Sequence, residues 1–311
     1  MDEGKIKKRL DIYLYYWALI FFVAFILINY FANILKIETF DVGFMVSVVS
    51  FLFGFFISIS FSMVISRISL LKQCLAEETG RLVSLFLLSK NLGEKFHNRI
   101  TDIIDKYVIV TLRDYSDYNL SREEFYDIYK SLDFMELKSE LQKQSASSFL
   151  YILGEFEPAR EGLEYLTKGR LLKTVKFANY LLAFLLIGLL FLNRGDPLSN
   201  ILFILLSTIV VFILLIIEDY ENLKIGDYIS NISNSEQIFD LIRKDRYYPT
   251  SILNRVKLEK GRSYRIGFYN NKTKTETIKT LTYNKSFFFN FSKLKEKFIS
   301  NSKKDSLEEI N

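Results

Sequence analysis

Histidine and cysteine are almost missing from this 311-residue chain, with His97 and Cys74 the only residue of each type. One cysteine cannot close an intramolecular disulfide, and one histidine beside one cysteine cannot cage a structural zinc ion. No metal and no cofactor is expected. Proline is scarce at 3 residues, which leaves helices free to run long with their hydrogen-bond ladders intact. Charged residues make up 25% of the composition and hydrophobic residues 50%. The two classes are segregated, because the apolar residues gather in long runs instead of spreading at core periodicity, and that clustering points to lipid. No P-loop, dinucleotide fingerprint, HExxH or Gly-x-Ser-x-Gly occurs, so the chain is not expected to be an enzyme.

A helix needs about 20 mostly apolar residues to cross roughly 30 Å of hydrocarbon. Segments 12–35, 42–65, 174–192 and 198–217 meet that requirement. Tyr13, Tyr15, Tyr16 and Trp17 open the first, where amphipathic rings favour the headgroup boundary. Lys176, near the start of the third, can snorkel to the interface. The first run follows Lys5, Lys7, Lys8 and Arg9, but it is too long for a signal peptide and lacks a small-residue cleavage site, so it reads as a retained anchor. Links at 36–41 and 193–197 are short enough to join the spans into two helical hairpins. Flanking cations set the orientation. The N-terminal cluster, Arg67, Lys72, Lys168, Arg170 and Lys173 lie on one side, against Lys36 and Arg194 on the other. Both termini and the central region are therefore expected in the cytoplasm of a multi-pass cell-membrane protein, its first partner the lipid bilayer.

The fold expected is an all-α membrane protein with four transmembrane helices, a helical cytoplasmic domain and a small β-hairpin tail. Its divisions are 1–66, 67–173, 174–217 and 218–311. In the central region Ile100, Ile103, Ile104, Tyr107, Val110 and Thr111 recur at helical spacing. Ser121 followed by Glu124 predicts a capping box, opening a helix with Phe125, Ile128, Leu132 and Met135 on one face. A further helix is predicted from Gln144 toward Leu166, with Pro158 kinking it or starting a new turn. In the tail, 262–269 and 272–283 read as strands around Asn270 and Asn271. Beyond Ile242 there are 17 Lys and Arg against 7 Asp and Glu. That excess suits a solvated surface near anionic headgroups. Nucleic acid is not expected as a partner, because no recognition module accompanies the charge.

The second span carries Ser47, Ser50, Gly54, Ser58, Ser62, Ser66 and Ser69 at intervals of three or four residues, which puts small side chains along one broad face. Small residues let helices approach closely in lipid, so packing is one reading. The other is a conduit bordered by this face and by Phe51 and Phe55, where hydroxyls replace part of an ion's hydration and phenylalanine rings gate by dewetting. No Asp, Glu, Lys or Arg lies at mid-depth in any span, an arrangement that disfavours a proton-coupled or charge-binding transporter. His97 reads as a surface or interhelical residue, and Cys74 as an ordinary small residue.

Two further stretches, EETGRLVSLFLLSKNLGEKFHNRITDIIDKYVIVTLRDYSDY at 77–118 and IEDYENLKIGDYISNISNSEQIFDLI at 217–242, carry a resemblance. With the order hairpin, helical domain, hairpin, tail, the chain resembles the bestrophin-like family of four-span membrane proteins over residues 40–245. Gly226 stands at the glycine of that family's Pro-Phe-x-Gly turn, with Leu223 and Lys224 where Pro and Phe are usual. The resemblance implies a homo-oligomer, a pentamer in bestrophins, with a central anion-conducting pore lined by the second span. Ser47, Ser50, Phe51, Gly54, Phe55, Ser58 and Ser62 are then the pore-lining candidates, and ions the ligands. Glu218, Asp219, Glu221 and Asp227 follow the last span, but they are spaced apart around Lys224, whereas calcium takes six to eight oxygen ligands. A calcium clasp is not expected. A non-conducting scaffold or sensor that recruits a cytoplasmic partner is the alternative function.

The charge asymmetry makes a direct prediction about sidedness. Single cysteines introduced in a Cys74→Ser background at 193–197 should label from the outside of intact cells, and those near the N-terminus only after permeabilisation. Labelling of both from one side would overturn the topology.

Overall fold

The computed structural model describes residues 4–32, 42–113, 118–221, 227–253, 256, 258–270 and 275–283. Four helices are long and apolar enough to cross a membrane. They lie in α1 (Gly4–Phe31), α2 (Val42–Ser89), α6 (Lys173–Leu192) and α7 (Pro197–Glu221). Between the second and third come α3 (Glu94–Arg113), α4 (Arg122–Lys130) and α5 (Glu140–Lys168). After α7 the chain forms α8 (Asp227–Leu241) and the strands β1 (Arg246–Pro249), β2 (Ser263–Asn270) and β3 (Thr275–Thr282).

The 48 residues of α2 make a rod of about 72 Å at roughly 1.5 Å per residue. A bilayer core accounts for only about 30 Å of it, so the helix carries straight on into the next domain. No proline or glycine falls between Gly54 and Gly80, and the residues after Arg67 are mostly good helix formers. The division expected at 66–67 therefore falls inside a continuous helix.

The pairing of the long helices departs from two simple hairpins. The second pair, α6 and α7, does pack together, but α1 lies against α7 and α2 against α6. Phe25 meets Phe203 edge-on at 5.6 Å, and Tyr15 stacks on Phe212 at 5.9 Å. These contacts run α1 antiparallel to α7. A short link limits how far apart two helices can be but does not oblige them to touch. Even a few extended residues, at about 3.5 Å each, reach past one neighbouring helix.

Two apolar cores are threaded on α2. Val49, Phe53, Ile57, Val64, Ile68, Leu71 and Leu75 join residues of α5, α6 and α7 in the first. Leu82, Leu85 and Phe86 join α3, α4, α5 and α8 in the second. The periodic face of α3 is buried as the spacing predicts, Ile100 and Ile104 completely. Each such side chain contributes about 1.5–3 kcal/mol of burial. That packing holds α5 as one helix through Pro158, since Phe149, Leu153, Phe156 and Leu163 are all fully covered.

The capping box lies elsewhere than expected. Ser121 ends a short 3-10 turn at φ −95° and ψ 10°, outside the extended conformation of a capping residue, and makes no side-chain cap bond. Its buried hydroxyl bonds to Tyr107 instead. The reciprocal box forms at Ser139, which accepts from the Gln142 N–H at 3.2 Å while its own N–H donates to Gln142 Oε1 at 3.0 Å. It starts α5 a turn earlier than the apolar pattern indicates.

In the tail, β2 and β3 form the antiparallel hairpin, and the turn at 271–274, including Asn271, lies outside the described residues. A strand with no clear sequence signal, β1, adds in parallel beside β2. Tyr247, Tyr248 and Tyr264 are buried there. Several basic residues of the tail are spoken for. Arg265 grips Asp105 of α3 with two bonds of 2.7 and 2.6 Å, Arg246 binds Glu236 and Asp240, and Arg262 binds Asp240. The Arg246 fork holds the Asp240 carboxyl below the usual carboxylate range.

Glu78 is buried on α2 and accepts a hydrogen bond from the equally buried Tyr107 hydroxyl. Burial, with the carboxylate beside it, pushes the Tyr107 hydroxyl well above the usual phenol range, so it stays a donor. Tyr107→Phe takes a donor from a buried carboxylate and should cost about 1–3 kcal/mol. Thermal unfolding should show a lower midpoint with the helical content of the native state unchanged, and an unaltered midpoint would refute the role given to this bond.

Candidate functional site

Along α2, Val49, Phe53, Ile57, Ser60 and Val64 turn inward. The pore-lining candidates lie on the other side. At about 100° per residue, Ser47, Phe51, Gly54, Ser58 and Ser62 fall within an arc of roughly 80°, with Ser50 and Phe55 at its edges. All are exposed except Ser50, which is half-buried. Phe51 is 74% and Phe55 55% exposed. A Cβ built on Gly54 would meet nothing within 4 Å. Packing against another helix of the same chain therefore does not account for the small-residue face.

This side differs chemically from other uncovered surfaces. The open sides of α1 and α7 carry bulky aliphatic residues such as Leu19, Val23, Leu27, Leu198, Ile201 and Leu205. The open side of α2 also exposes Phe44 and Ile65, but from Ser47 to Ser62 it sets hydroxyls and a glycine around Phe51 and Phe55. Ser47 donates to the Gly43 carbonyl at 3.1 Å and Ser58 to the Gly54 carbonyl at 2.8 Å. These bonds leave oxygen lone pairs facing outward, and rotation about χ1 exchanges them for a proton. The face is weakly polar, and no charged residue falls between 42 and 65.

Beneath it lies a charged collar. Arg67 directs Nε to the Leu166 carbonyl at 2.7 Å, Nη2 to that of Thr167 at 3.0 Å and Nη1 to that of Glu221 at 2.9 Å. One guanidinium thus satisfies carbonyls at the C-terminal ends of both α5 and α7, where cations also complement the helix dipole. Lys176 pairs with Glu218 at 2.6 Å and Glu221 at 3.0 Å. Two of the acids that follow the last span are thereby engaged by a lysine, and the side chain of Asp227 lies outside the described residues. Among the described residues no three His, Cys, Asp or Glu side chains are grouped to hold a metal ion.

A matching cap closes the opposite end. Buried Arg194 donates to the Phe191 carbonyl at 2.9 Å, lies 3.8 Å from the Phe191 ring centroid and reaches the Ile28 and Asn29 carbonyls at 3.5 Å. Both arginines read from sequence as topogenic charges, yet both act as helix caps. For Arg194 the available signal was its place just past the end of α6, whereas Arg67 lies inside α2 and caps helix ends brought to it from elsewhere. Asn179 escaped notice as well. It lies within an apolar run, and it donates to Ser60 Oγ at 2.6 Å, joining α6 to α2 inside the bundle. Intramembrane polar residues turn toward such interiors.

His97 and Cys74 have structural surroundings. The Ser89 hydroxyl donates to the Phe86 carbonyl and also meets His97 Nδ1 at 2.7 Å. Burial holds His97 below its usual range, with Lys90 adding to the effect. The bond ties the end of α2 to the start of α3 across Gly93, whose φ of 103° favours glycine. Cys74 faces Gly162, where an added Cβ would lie 3.3 Å from its sulfur, and burial raises the thiol.

No family model matches the chain, and neither a curated protein nor a solved structure matches it.

Arg67→Ala removes three charge-assisted bonds and should destabilise the native state by roughly 2 kcal/mol or more, because it strands partly buried carbonyls. Arg67→Lys, with a single ammonium, should recover only part of the loss. Thermal unfolding of the detergent-solubilised variants measures this, and a lysine variant as stable as the parent would rule out the forked cap.

Proposed function

We propose that this chain is the subunit of a homo-oligomeric, membrane-embedded pore that conducts ions along the open face of α2. The observation that carries this reading is the uncovered strip from Ser47 to Ser62, where serines and a glycine alternate with Phe51 and Phe55, whereas the open sides of α1, α6 and α7 are dominated by bulky apolar residues. A symmetric ring of copies would turn these strips toward a common axis. The resemblance to bestrophin-like proteins favours five copies and anions.

In such a ring Phe51 and Phe55, one helical turn apart, stack as two apolar constrictions. Hydroxyls of Ser47, Ser58 and Ser62 sit above and below them and replace part of the hydration shed by a passing ion. The unbroken α2 would carry any tilt of the lower domain to the constriction.

A non-conducting scaffold is the second reading, and Leu150 and Tyr151, two large apolar side chains exposed on α5, favour it. The two readings part in one experiment. In planar bilayers the double variant Phe51→Ala, Phe55→Ala should carry several-fold more current than the parent, with anion or cation preference read from the reversal potential in a salt gradient. Native mass spectrometry should show the parent as an oligomer. Assembled protein that stays silent in both forms would favour the scaffold, and a parent that is only monomeric would end the shared-pore reading.

A further inference from the structure

Just below the charged collar, α4 and the last turns of α5 border an outward-opening cleft of about 470 Å³, lined by Arg122, Glu161, Glu164, Tyr165, Lys168 and Gly169. Its level is set by neighbouring bonds. Arg67 binds the Leu166 and Thr167 carbonyls beside it, and α6 begins at Lys173, immediately after Gly169 and the short link. With α6 crossing a bilayer, the cleft lies at the depth of the phospholipid headgroups. Tyr165 is 78% exposed within it, a ring-and-hydroxyl side chain of the kind that favours this boundary.

The charges in the cleft are unevenly matched. Arg122 and Lys168 share one carboxylate, Glu164, at 3.4 and 2.9 Å. That side keeps a surplus of positive charge. The exposed Glu161, on the same face of α5, makes no hydrogen bond or ion pair among the described residues. One ligand with a negative group joined to a positive one would neutralise both ends. A free anion would leave Glu161 unmatched and repelled.

We propose that this cleft binds a phospholipid whose phosphodiester bears a primary ammonium, as in phosphatidylethanolamine. The phosphate lies against Arg122 and Lys168, and the ammonium donates to Glu161. A choline headgroup has the same charges but no N–H to give. A glycerol headgroup lacks the cation. The proposal rests on the membrane placement of α6 but not on conduction, so a silent protein would leave it standing.

The test uses the full chain in detergent, delipidated and then offered equal amounts of phosphatidylethanolamine, phosphatidylcholine and phosphatidylglycerol, with retained lipid counted by native mass spectrometry. The parent should retain the ethanolamine lipid roughly fivefold over the choline lipid, the scale of one net hydrogen bond. Glu161→Gln, which removes the charge but keeps an accepting oxygen, should reduce that preference markedly and weaken both zwitterionic lipids relative to phosphatidylglycerol. Arg122→Gln with Lys168→Gln should lower occupancy by all three, with thermal unfolding in lipid-free detergent confirming that the variants are folded. Soluble glycerophosphoethanolamine and inorganic phosphate separate the sources of the chemistry. Stabilisation of the parent by the former and not the latter supports a zwitterionic site, whereas an equal response to both points to a plain anion site and overturns the proposal. Equal retention of ethanolamine and choline lipids, or an unchanged preference in Glu161→Gln, would also overturn it. Alkaline extraction of the protein from vesicles would show instead that the membrane placement had failed.

Discussion

Arg67 stands on α2 where the helix passes from its apolar upper stretch to its polar lower one, and its guanidinium closes the carbonyl ends of α5 and α7 at once. Those carbonyls have no partner within their own helices. Left open at the edge of an apolar bundle, each would cost more than an ordinary hydrogen bond contributes. The cap holds three elements at a single level, and the rest follows. The end of α5 fixes where α6 starts, the end of α7 fixes where Glu218 and Glu221 meet Lys176, and the cleft beside Gly169 is positioned by the same bonds.

Because α2 is continuous, the two cores it threads are coupled mechanically. Movement of the lower domain relative to the long apolar helices requires bending α2, breaking the Arg67 cap or carrying the upper half along. The pore proposal uses the third route. The open side of α2 also continues below Arg67 through Ser69, Gln73, Ala76 and Gly80, all exposed. An assembly formed around the upper face would therefore bring the lower halves of neighbouring copies close together.

The tail is built differently. Its sheet is tied to the helical domain by Arg265 with Asp105, by Arg113 with Glu276 and by Tyr247, which is buried in the helical domain's apolar core. Glu276 also accepts from the Tyr247 hydroxyl, which burial pushes above the usual phenol range. A basic excess that reads in sequence as free surface charge is in part internal wiring. The lysines of 284–311 lie outside the described residues.

The four long apolar helices and the periodic face of α3 were legible in the sequence, because the penalty for burying charge and the 3.6-residue repeat are properties of short stretches. So was the β2–β3 hairpin, from two strand-like runs around an asparagine pair. The four-residue strand β1 was not, since its place depends on the edge of a sheet formed later in the chain. Ser121 had the residue pattern of a helix cap, but Tyr107 competes for its hydroxyl. The serines of α2 were visible as a stripe, whereas the side of the helix left uncovered depended on where α6 and α7 packed. The sequence by itself determined that long apolar helices would form and roughly where each would lie along the chain, through local cost and period. Only the tertiary structure decided that α1 would lean on α7, that Arg67 would close two helices and that the Ser47–Ser62 face would stay open, because each depends on residues far apart in sequence meeting in space.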